Sequence, residues 1–169
     1  MFGLKNKKNS MKLPSVLIVS GEDVHLRIPS ILKLKEMGYE VAVAGPVEHP
    51  RFSKESIQFF QYPLAREFNP LSDVKSIKQL RKIYSLYVPD IIHAFDTKPC
   101  ILVPMAFDGR KGPIVVRTIN GMGAVFSERS IKMFVLRGVY LFLHFFLRKK
   151  LSATVFQNED DMSFFKAMR

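Results

Sequence analysis

Three short stretches of the sequence place glycines or polar side chains directly after an apolar run. They are residues 21–27, 96–98 and 120–127. Glycines permit tight turns and let a ligand approach the backbone, and backbone N–H groups at the start of a helix attract anions. Carboxylate, amide and hydroxyl side chains can hydrogen-bond to sugar hydroxyls. We therefore predict a site for a sugar or a phosphate, built from these candidates: Gly21, Glu22, Arg27, His93, Asp96, Lys98, Asn120, Gly121, Gly123 and Ser127.

Each assignment competes with a purely structural interpretation. A glycine after a strand can serve only as a turn former. His93 lies inside an apolar segment, which favours a core histidine over a catalytic base. Arg117 would add positive charge to the site, whereas His25 lies beside the first stretch without an evident partner. The sequence identifies no catalytic residue.

The residues around the first stretch predict a strand, a helix and a second strand. Residues 15–20 are a short apolar, β-branched run. Residues 24–36 carry apolar side chains at helical spacing, and Gly38 stands where a left-handed residue ends a helix. Residues 41–44 are a second apolar run. This order is typical of a βαβ unit with a parallel, right-handed crossover.

The rest of the chain continues this alternation, with a polar loop expected at residues 47–55. Asn69 or Ser72 is expected to cap the helix that begins near Pro70. Further strands are predicted at residues 57–62, 90–95, 114–119 and 153–157, and further helices at 99–107, at 128–150 with a bend near Gly138, and after a cap at 158–161. The pattern predicts an α/β fold, a single Rossmann-like, doubly wound and mostly parallel sheet. Because parallel strands end at one edge, the three polar stretches should meet there.

The composition limits the possible partners. The chain has 169 residues, a net charge of +11 and a sequence pI near 9.9. This charge predicts attraction to lipid headgroups, phosphates or nucleic acid, or else a solvated basic surface. The single cysteine, Cys100, excludes an internal disulfide, and its apolar surroundings favour an inert thiol. Residues 1–12 are predicted to form a basic flexible tail, and residues 13–169 the domain.

Several sequence signatures are absent from the chain. The first stretch is not a G-x-G-x-x-G fingerprint, and there is no Walker lysine motif. No histidines and cysteines stand at metal-ligand spacing, and no G-x-S-x-G motif occurs. Stacking aromatics are not interleaved with the basic residues, which argues against a nucleic-acid partner. We therefore expect no metal and no bound cofactor.

The order of six short motifs resembles the amino-terminal half of bacterial family 4 glycosyltransferases. The motifs are VLIVSG at residues 16–21, GYEV at 38–41, NPL at 69–71, PDIIHA at 89–94, VRTINGMG at 116–123 and VFQN at 155–158. The resemblance implies a GT-B architecture, in which two Rossmann-like domains face each other across a cleft. The amino-terminal domain would bind the acceptor, and the loops at Gly21 and at residues 120–123 would face that cleft. His93 and Asp96 match the segment near the acceptor.

The resemblance also implies a second domain that grips a nucleotide-sugar, with UDP as the expected nucleotide. The resemblance implies that this domain, marked by two glutamates separated by seven residues, would begin shortly after Arg169. It is not in the sequence, so we expect this chain alone to have little transferase activity. The implied reaction is retaining transfer of a sugar to a glycan or lipid-linked acceptor in capsule or exopolysaccharide synthesis. The alternative is a non-catalytic partner that recruits a separate donor-binding chain to the membrane.

The long basic and apolar helix near the carboxyl end has two interpretations. Its lysines and arginines beside aromatic residues would suit docking on an anionic leaflet. The expected location is therefore the cytoplasm, with peripheral attachment to the inner face of the plasma membrane as a further possibility. Alternatively, Phe142, Phe145, Phe146 and Leu147 are core or interdomain contacts. The apolar run at residues 134–147 is too short and too polar to span a bilayer.

Overall fold

The computed structural model describes residues 13–65, 67, 69–121 and 130–167. The predicted tail at residues 1–12 lies outside these ranges. So do two of the candidate site residues, Gly123 and Ser127.

The fold is built on one six-stranded sheet in which every strand pair is parallel. The strands are β1 Ser15–Val19, β2 Glu40–Gly45, β3 Gln58–Gln61, β4 Ile91–Phe95, β5 Ile114–Ile119 and β6 Ala153–Phe156. Their order across the sheet is β3-β2-β1-β4-β5-β6. The predicted Rossmann-like α/β class is therefore confirmed. The order reverses between β1 and β4, and in such sheets ligands bind at the carboxyl edge beside that point.

Helices connect these strands on both faces of the sheet. They are a 3-10 helix Glu22–Arg27, α1 Ile28–Glu36, α2 Pro50–Lys54, α3 Pro70–Tyr87, α4 Pro99–Ala106, α5 Ile131–Leu147, a second 3-10 helix Arg148–Lys150, and α6 Glu159–Ala167. None of the described helices is long and apolar enough to cross a membrane.

Local chemistry sets several helix ends. The side chain of Asn69 accepts a hydrogen bond from the backbone N–H of Ser72, so Asn69 is the cap of α3. Asn158 does the same for α6, where its Oδ1 lies 2.7 Å from the backbone nitrogen of Asp161. Gly38 follows α1 with a φ of 93°, the left-handed conformation that the sequence predicted there.

Two predicted boundaries near the amino end are wrong. The helix expected from residue 24 begins as a 3-10 helix, and α1 starts only at Ile28. Pro29, in the first turn of α1, has no N–H to donate and favours the start of a helix over its interior. The loop expected at residues 47–55 contains α2, because Phe52 is fully buried and stacks on Phe59 with ring centroids 5.3 Å apart.

The long helix near the carboxyl end is shorter than predicted at its carboxyl side. α5 runs through Gly138 as one helix and ends at Leu147, and a 3-10 helix replaces its last predicted turn. Residues 128–129 lie outside the described ranges. Of the four residues with a possible core role, only Leu147 is buried, while Phe142, Phe145 and Phe146 are exposed.

Two hydrophobic cores pack against the two faces of the sheet. One lies under α1 and α2 and includes Ile18, Val43, Ile28 and Phe52. The other lies under α3 and α4; its members include Leu17, Ile92, Val115, Leu80, Ile83 and Val103. Alternate residues of the central strand β1 enter opposite cores, as expected for a strand covered on both sides. This packing fixes the strand ends that carry the candidate site.

Candidate functional site

The ends of β1, β4 and β5 meet at the carboxyl edge of the sheet, and the carboxylate of Asp96 joins them. Its Oδ2 accepts a hydrogen bond from the backbone N–H of Gly21 at 2.9 Å and another from the hydroxyl of Ser20. Its Oδ1 accepts a hydrogen bond from Nδ2 of Asn120 at 3.0 Å. The structure thus brings together three of the predicted residues that are far apart in sequence.

The backbone of Asp96 turns sharply to reach these partners. Its φ is 68°, in the left-handed region that aspartate tolerates better than most side chains. Ser20 is buried, and its carbonyl accepts a hydrogen bond from the hydroxyl of Tyr62 at 2.9 Å. Burial, followed by the nearby charge of Asp96, raises the pKa of Tyr62 far above its ordinary value. The floor of the site is therefore a connected polar network.

Arg27 places a positive charge beside this network. Its Nη2 lies 3.7 Å from Oδ1 of Asp96, and its guanidinium carbon lies 4.5 Å from the centroid of the Phe95 ring. Its Nε is buried and has no hydrogen-bond partner within the described part of the chain. An ion pair at this distance leaves the guanidinium donors able to contact a ligand as well.

His93 lies beside the network but does not belong to it. Its Nε2 is 2.8 Å from the Oγ1 of Thr118, and its ring lies 4.1 Å from that of Phe95. Burial, followed by the positive charge of Arg27, lowers the pKa of His93 to about 4. The imidazole is therefore neutral at pH 7, and a role as a cationic acid is excluded in this state.

Replacing Arg27 with glutamine is expected to raise the pKa of His93 toward its ordinary value. The removal of a nearby positive charge favours protonation, but burial remains, so the shift should be about one unit or less. An NMR pH titration of the imidazole C–H signals measures it. Lys33→Gln, an exposed charge on α1, is the matched control and should leave the His93 titration unchanged. A native His93 that titrates near pH 6.5 would contradict this description of the site.

The remaining described candidates have different surroundings. Lys98 donates hydrogen bonds to the carbonyls of Ala65 and Glu67 at 2.8 and 2.7 Å, and its Nζ lies 2.7 Å from Oδ1 of Asp73. Its charge is thus used to hold the segment between β3 and α3. Glu22 is exposed at the start of the first 3-10 helix. Gly121 has a φ of 151°, and a side chain there would meet no described atom within 4 Å.

Arg117 does not reach the carboxyl-edge network, contrary to the expectation from the sequence. It is buried, and its Nε donates a hydrogen bond to Oγ1 of Thr154 on β6, at 3.1 Å. The sequence analysis did not identify Ser20 or Tyr62 as site residues. Each directly follows a strand, and this position could have marked it as a candidate. Cys100 is the inert thiol that was predicted: it is buried, and burial raises its pKa to about 12.

The arrangement suits recognition of hydroxyls better than bond cleavage. Oδ1 of Asn120 is buried and accepts no hydrogen bond from the described residues, so this edge of the sheet holds an unsatisfied acceptor. Within the described ranges, no cluster of three or more histidine, cysteine or acidic side chains could hold a metal ion. The network offers an amide, a guanidinium and backbone groups, which are the means of binding a polar substrate.

The sequence matches the family model described as glycosyl transferase 4-like over residues 15–154. A search with the sequence among curated proteins finds no match. Solved structures with the same fold include sucrose-phosphate synthase from Thermosynechococcus elongatus, at a TM-score of 0.68 and 10% identity over 92% of this chain and 45% of that one. MurG of Acinetobacter baumannii has a TM-score of 0.58 and 12% identity, over 88% of this chain and 42% of that one.

A third structure with the same fold is the UDP-GlcNAc 2-epimerase of Methanocaldococcus jannaschii. Its TM-score is 0.61 and its identity 12%, over 91% of this chain and 42% of that one. At these identities the likeness concerns the fold. The chain spans less than half the length of each of these three proteins.

Proposed function

Because the chain belongs to the glycosyl transferase 4-like family, we propose that its carboxyl edge forms the acceptor side of a glycosyltransferase. The enzyme would transfer a sugar from a nucleotide-sugar, with UDP as the nucleotide, to a glycan or lipid-linked acceptor. Retention of configuration and a place in capsule or exopolysaccharide synthesis are parts of this proposal. The observation that carries it is the junction of three strand ends at Asp96.

The chemistry of this edge supports binding of an acceptor. A sugar hydroxyl can donate to Oδ1 of Asn120 and accept from the guanidinium of Arg27. No atom of the described residues lies within 4 Å of the place that a side chain at Gly121 would occupy. Asp96 acts as a positioning residue, since its oxygens already accept hydrogen bonds from the protein.

The shape of the edge supports a division of labour between two domains. The indentation between Asp96, Asn120, Gly121 and Tyr140 is too shallow to enclose a nucleotide. Binding sites for ligands of that size are deep clefts, commonly at the junction of two domains. We therefore propose that a donor-binding domain faces this edge, supplied by a longer form of this chain or by a separate one. Alone, the chain should transfer little sugar.

The test mixes the chain with a donor-binding domain of this family, a UDP-sugar and a short glycan acceptor. UDP release that needs all three components is the expected result. Asn120→Ala should reduce it by about tenfold, the loss of one or two substrate hydrogen bonds. Arg51→Gln, an exposed charge on α2, is the control. Equal UDP release by the chain alone would contradict the division of labour.

Acceptor binding can also be read without turnover. Titration of the chain with the glycan should move the NMR amide signals of Gly21, Asp96 and Gly121. Movement confined to other signals would place the acceptor elsewhere. This measurement separates a wrong acceptor site from a donor domain that fails to assemble.

The alternative, recruitment to a membrane, is favoured by one surface. We call it the α5 stripe, and its exposed apolar residues are Ile131, Phe134, Val135, Val139, Phe142, Phe145 and Phe146. Phe142 and Phe146 are 65% and 64% exposed. Arg148, Lys149 and Lys150 follow at the end of the helix. Aromatic side chains beside a basic cluster are typical of helices that lie in the interface of an anionic membrane.

Replacing Phe142 and Phe146 together with serine is expected to lower binding to anionic vesicles by at least tenfold. Each phenylalanine ring that is removed takes away about 2 kcal/mol of transfer free energy from water to the membrane. Co-sedimentation with phosphatidylglycerol vesicles at low salt measures the effect. The control changes Leu71 and Leu86, two exposed apolar residues of α3, to serine and should bind normally. Equal losses in both variants would show that the α5 stripe has no special role.

A further inference from the structure

A second polar site lies away from the carboxyl edge, in a cleft between the sheet and the last two helices. We call it the α5–α6 cleft, and its volume is about 90 Å³. It is lined by Arg117, His144, Phe145, Arg148, Thr154, Phe156, Phe165 and Lys166. α5 leads into the amino end of β6, and α6 leaves its carboxyl end. The cleft lies near the carboxyl ends of both helices and therefore away from the edge that carries Asp96.

Two buried side chains in this cleft have donors or acceptors without partners. Arg117 is 3% exposed, and its Nη1 makes no hydrogen bond to any described residue. His144 is 1% exposed, and neither of its ring nitrogens has a partner among the described residues. A buried polar group without a partner destabilises the fold, and more so when it is charged. A bound ion that completes their hydrogen bonds is one explanation for such groups in a native fold.

The charged side chains of the cleft favour an anionic ligand. Arg117, Arg148 and Lys166 line it, and no carboxylate is among the lining residues. Asp161, a buried carboxylate on α6, accepts a hydrogen bond from Asn158 at 2.8 Å. Burial lowers the pKa of the Arg117 guanidinium, which means that its charge is poorly compensated. An anion would supply the missing compensation.

We propose that the α5–α6 cleft binds a phosphate group, with Arg117 as its central donor. A guanidinium can donate two parallel hydrogen bonds to phosphate oxygens. Because Nε of Arg117 already bonds to Thr154, we assign Nη1, which has no described partner, as the donor to phosphate. A neutral His144 adds one N–H donor, and Lys166 and Arg148 close the mouth of the cleft with charge. A volume of about 90 Å³ admits one phosphate group but not a nucleotide base with it.

Two sources of this phosphate fit the surroundings. Phe145 and Arg148 belong to the cleft and also to the region of the α5 stripe, and the Arg148 guanidinium lies 3.9 Å from the Phe145 ring centroid. A lipid with a terminal phosphate could thus enter from a docked membrane. A soluble phosphate ester is the other source. The phosphate chemistry is common to both, and it does not depend on the proposed transferase activity.

Calorimetry with inorganic phosphate tests the site directly. Phosphate in millimolar amounts is expected to bind and to raise the melting temperature, whereas acetate at equal ionic strength should not. Arg117→Met and Lys166→Gln should weaken binding by roughly tenfold and threefold, as expected for a buried and an exposed charged contact. Lys78→Gln removes an exposed charge on α3, outside the cleft, and should bind phosphate normally. Unchanged phosphate binding in both cleft variants, or none in the native chain, would overturn the proposal.

Folding of the variants needs its own check, because Arg117 also bonds Thr154. A native circular dichroism spectrum for Arg117→Met makes its loss of binding interpretable, and exposed Lys166→Gln gives an independent measure.

Vesicles distinguish the two sources of phosphate. If the site takes a lipid headgroup, phosphatidic acid vesicles should bind more tightly than phosphatidylglycerol vesicles of equal charge, and inorganic phosphate should compete. Arg117→Met should then abolish the preference. If the source is soluble, the two kinds of vesicle should bind alike while inorganic phosphate still binds in the calorimeter.

Discussion

Replacing Asp96 with alanine is expected to lower the free energy of unfolding by about 2–4 kcal/mol. The change removes the acceptor shared by Gly21, Ser20 and Asn120, which follow the ends of two other strands, β1 and β5. It also puts alanine at a φ of 68°, a left-handed conformation that aspartate tolerates better than alanine does. Urea unfolding followed by circular dichroism measures the loss.

Two companion variants separate the causes. Asp96→Asn keeps the side chain's shape and its tolerance of the left-handed conformation, but its amide can accept at only one atom. It should therefore lose about half as much stability. Asp108→Ala, which removes a carboxylate that pairs with the neighbouring Arg110, should leave the urea midpoint nearly unchanged. If Asp96→Ala and Asp108→Ala unfold at the same urea concentration, Asp96 does not hold the strand ends together.

Asp96→Ala should also slow the transfer reaction. The loops at Gly21 and Asn120 meet through this carboxylate, and a displacement of about 1 Å in a binding group can cost a hundredfold in rate. In the reconstituted transfer reaction the variant should be slower than Asn120→Ala.

Local signals in the sequence located most strands and helices. β5 was predicted with its observed bounds, because residues 114–119 are an apolar, β-branched run between two turns. The cap at Asn69 followed from an asparagine before proline. α2 was missed because Phe52 is stabilised by a ring from β3, and the pattern of five residues does not reveal such a contact.

The sequence predicted which strand ends would meet but not every side chain that would occupy the site. The convergence of Gly21, Asp96 and Asn120 follows from parallel topology alone. Lys98 was expected in the site, yet it forms an ion pair with Asp73 on α3, which is 25 residues away in sequence. The partner of such a side chain depends on the packing of the whole domain.

The alternation of residues along β5 could have shown that Arg117 would not reach the carboxyl-edge site. Arg117 is two residues from both Val115 and Ile119, so it shares their face of the sheet. Both neighbours are buried, and Arg117 is buried with them. A fully buried arginine is rare unless an opposite charge compensates it. The α5–α6 cleft beside Arg117 is where a bound anion could do so.

His144 makes the stability of the domain sensitive to acid, and replacing it with phenylalanine should reduce that sensitivity. Burial, followed by the charge of Arg117, lowers the pKa of His144 to about 2. The unfolded chain binds a proton near pH 6.5 and the folded chain does not, so stability must fall as the pH drops below 6.5. His144 alone should lower the free energy of unfolding by about 2–3 kcal/mol at pH 4.5.

His144→Phe should be at least as stable as the native chain at pH 8, because an apolar ring replaces two ring nitrogens without described partners. The new ring would occupy the same place beside Tyr140 and Phe165. Below pH 6.5 the difference in unfolding free energy should grow by about 1.4 kcal/mol per pH unit, in the variant's favour. Urea unfolding from pH 8 to 4.5 in phosphate-free buffers measures it. Phe146→Leu, on the same helix, carries no titratable group and should follow the native curve. Parallel curves for the native chain and His144→Phe would show that His144 is protonated in the folded domain, and the cleft around it would then carry a charge that this structure does not assign to it.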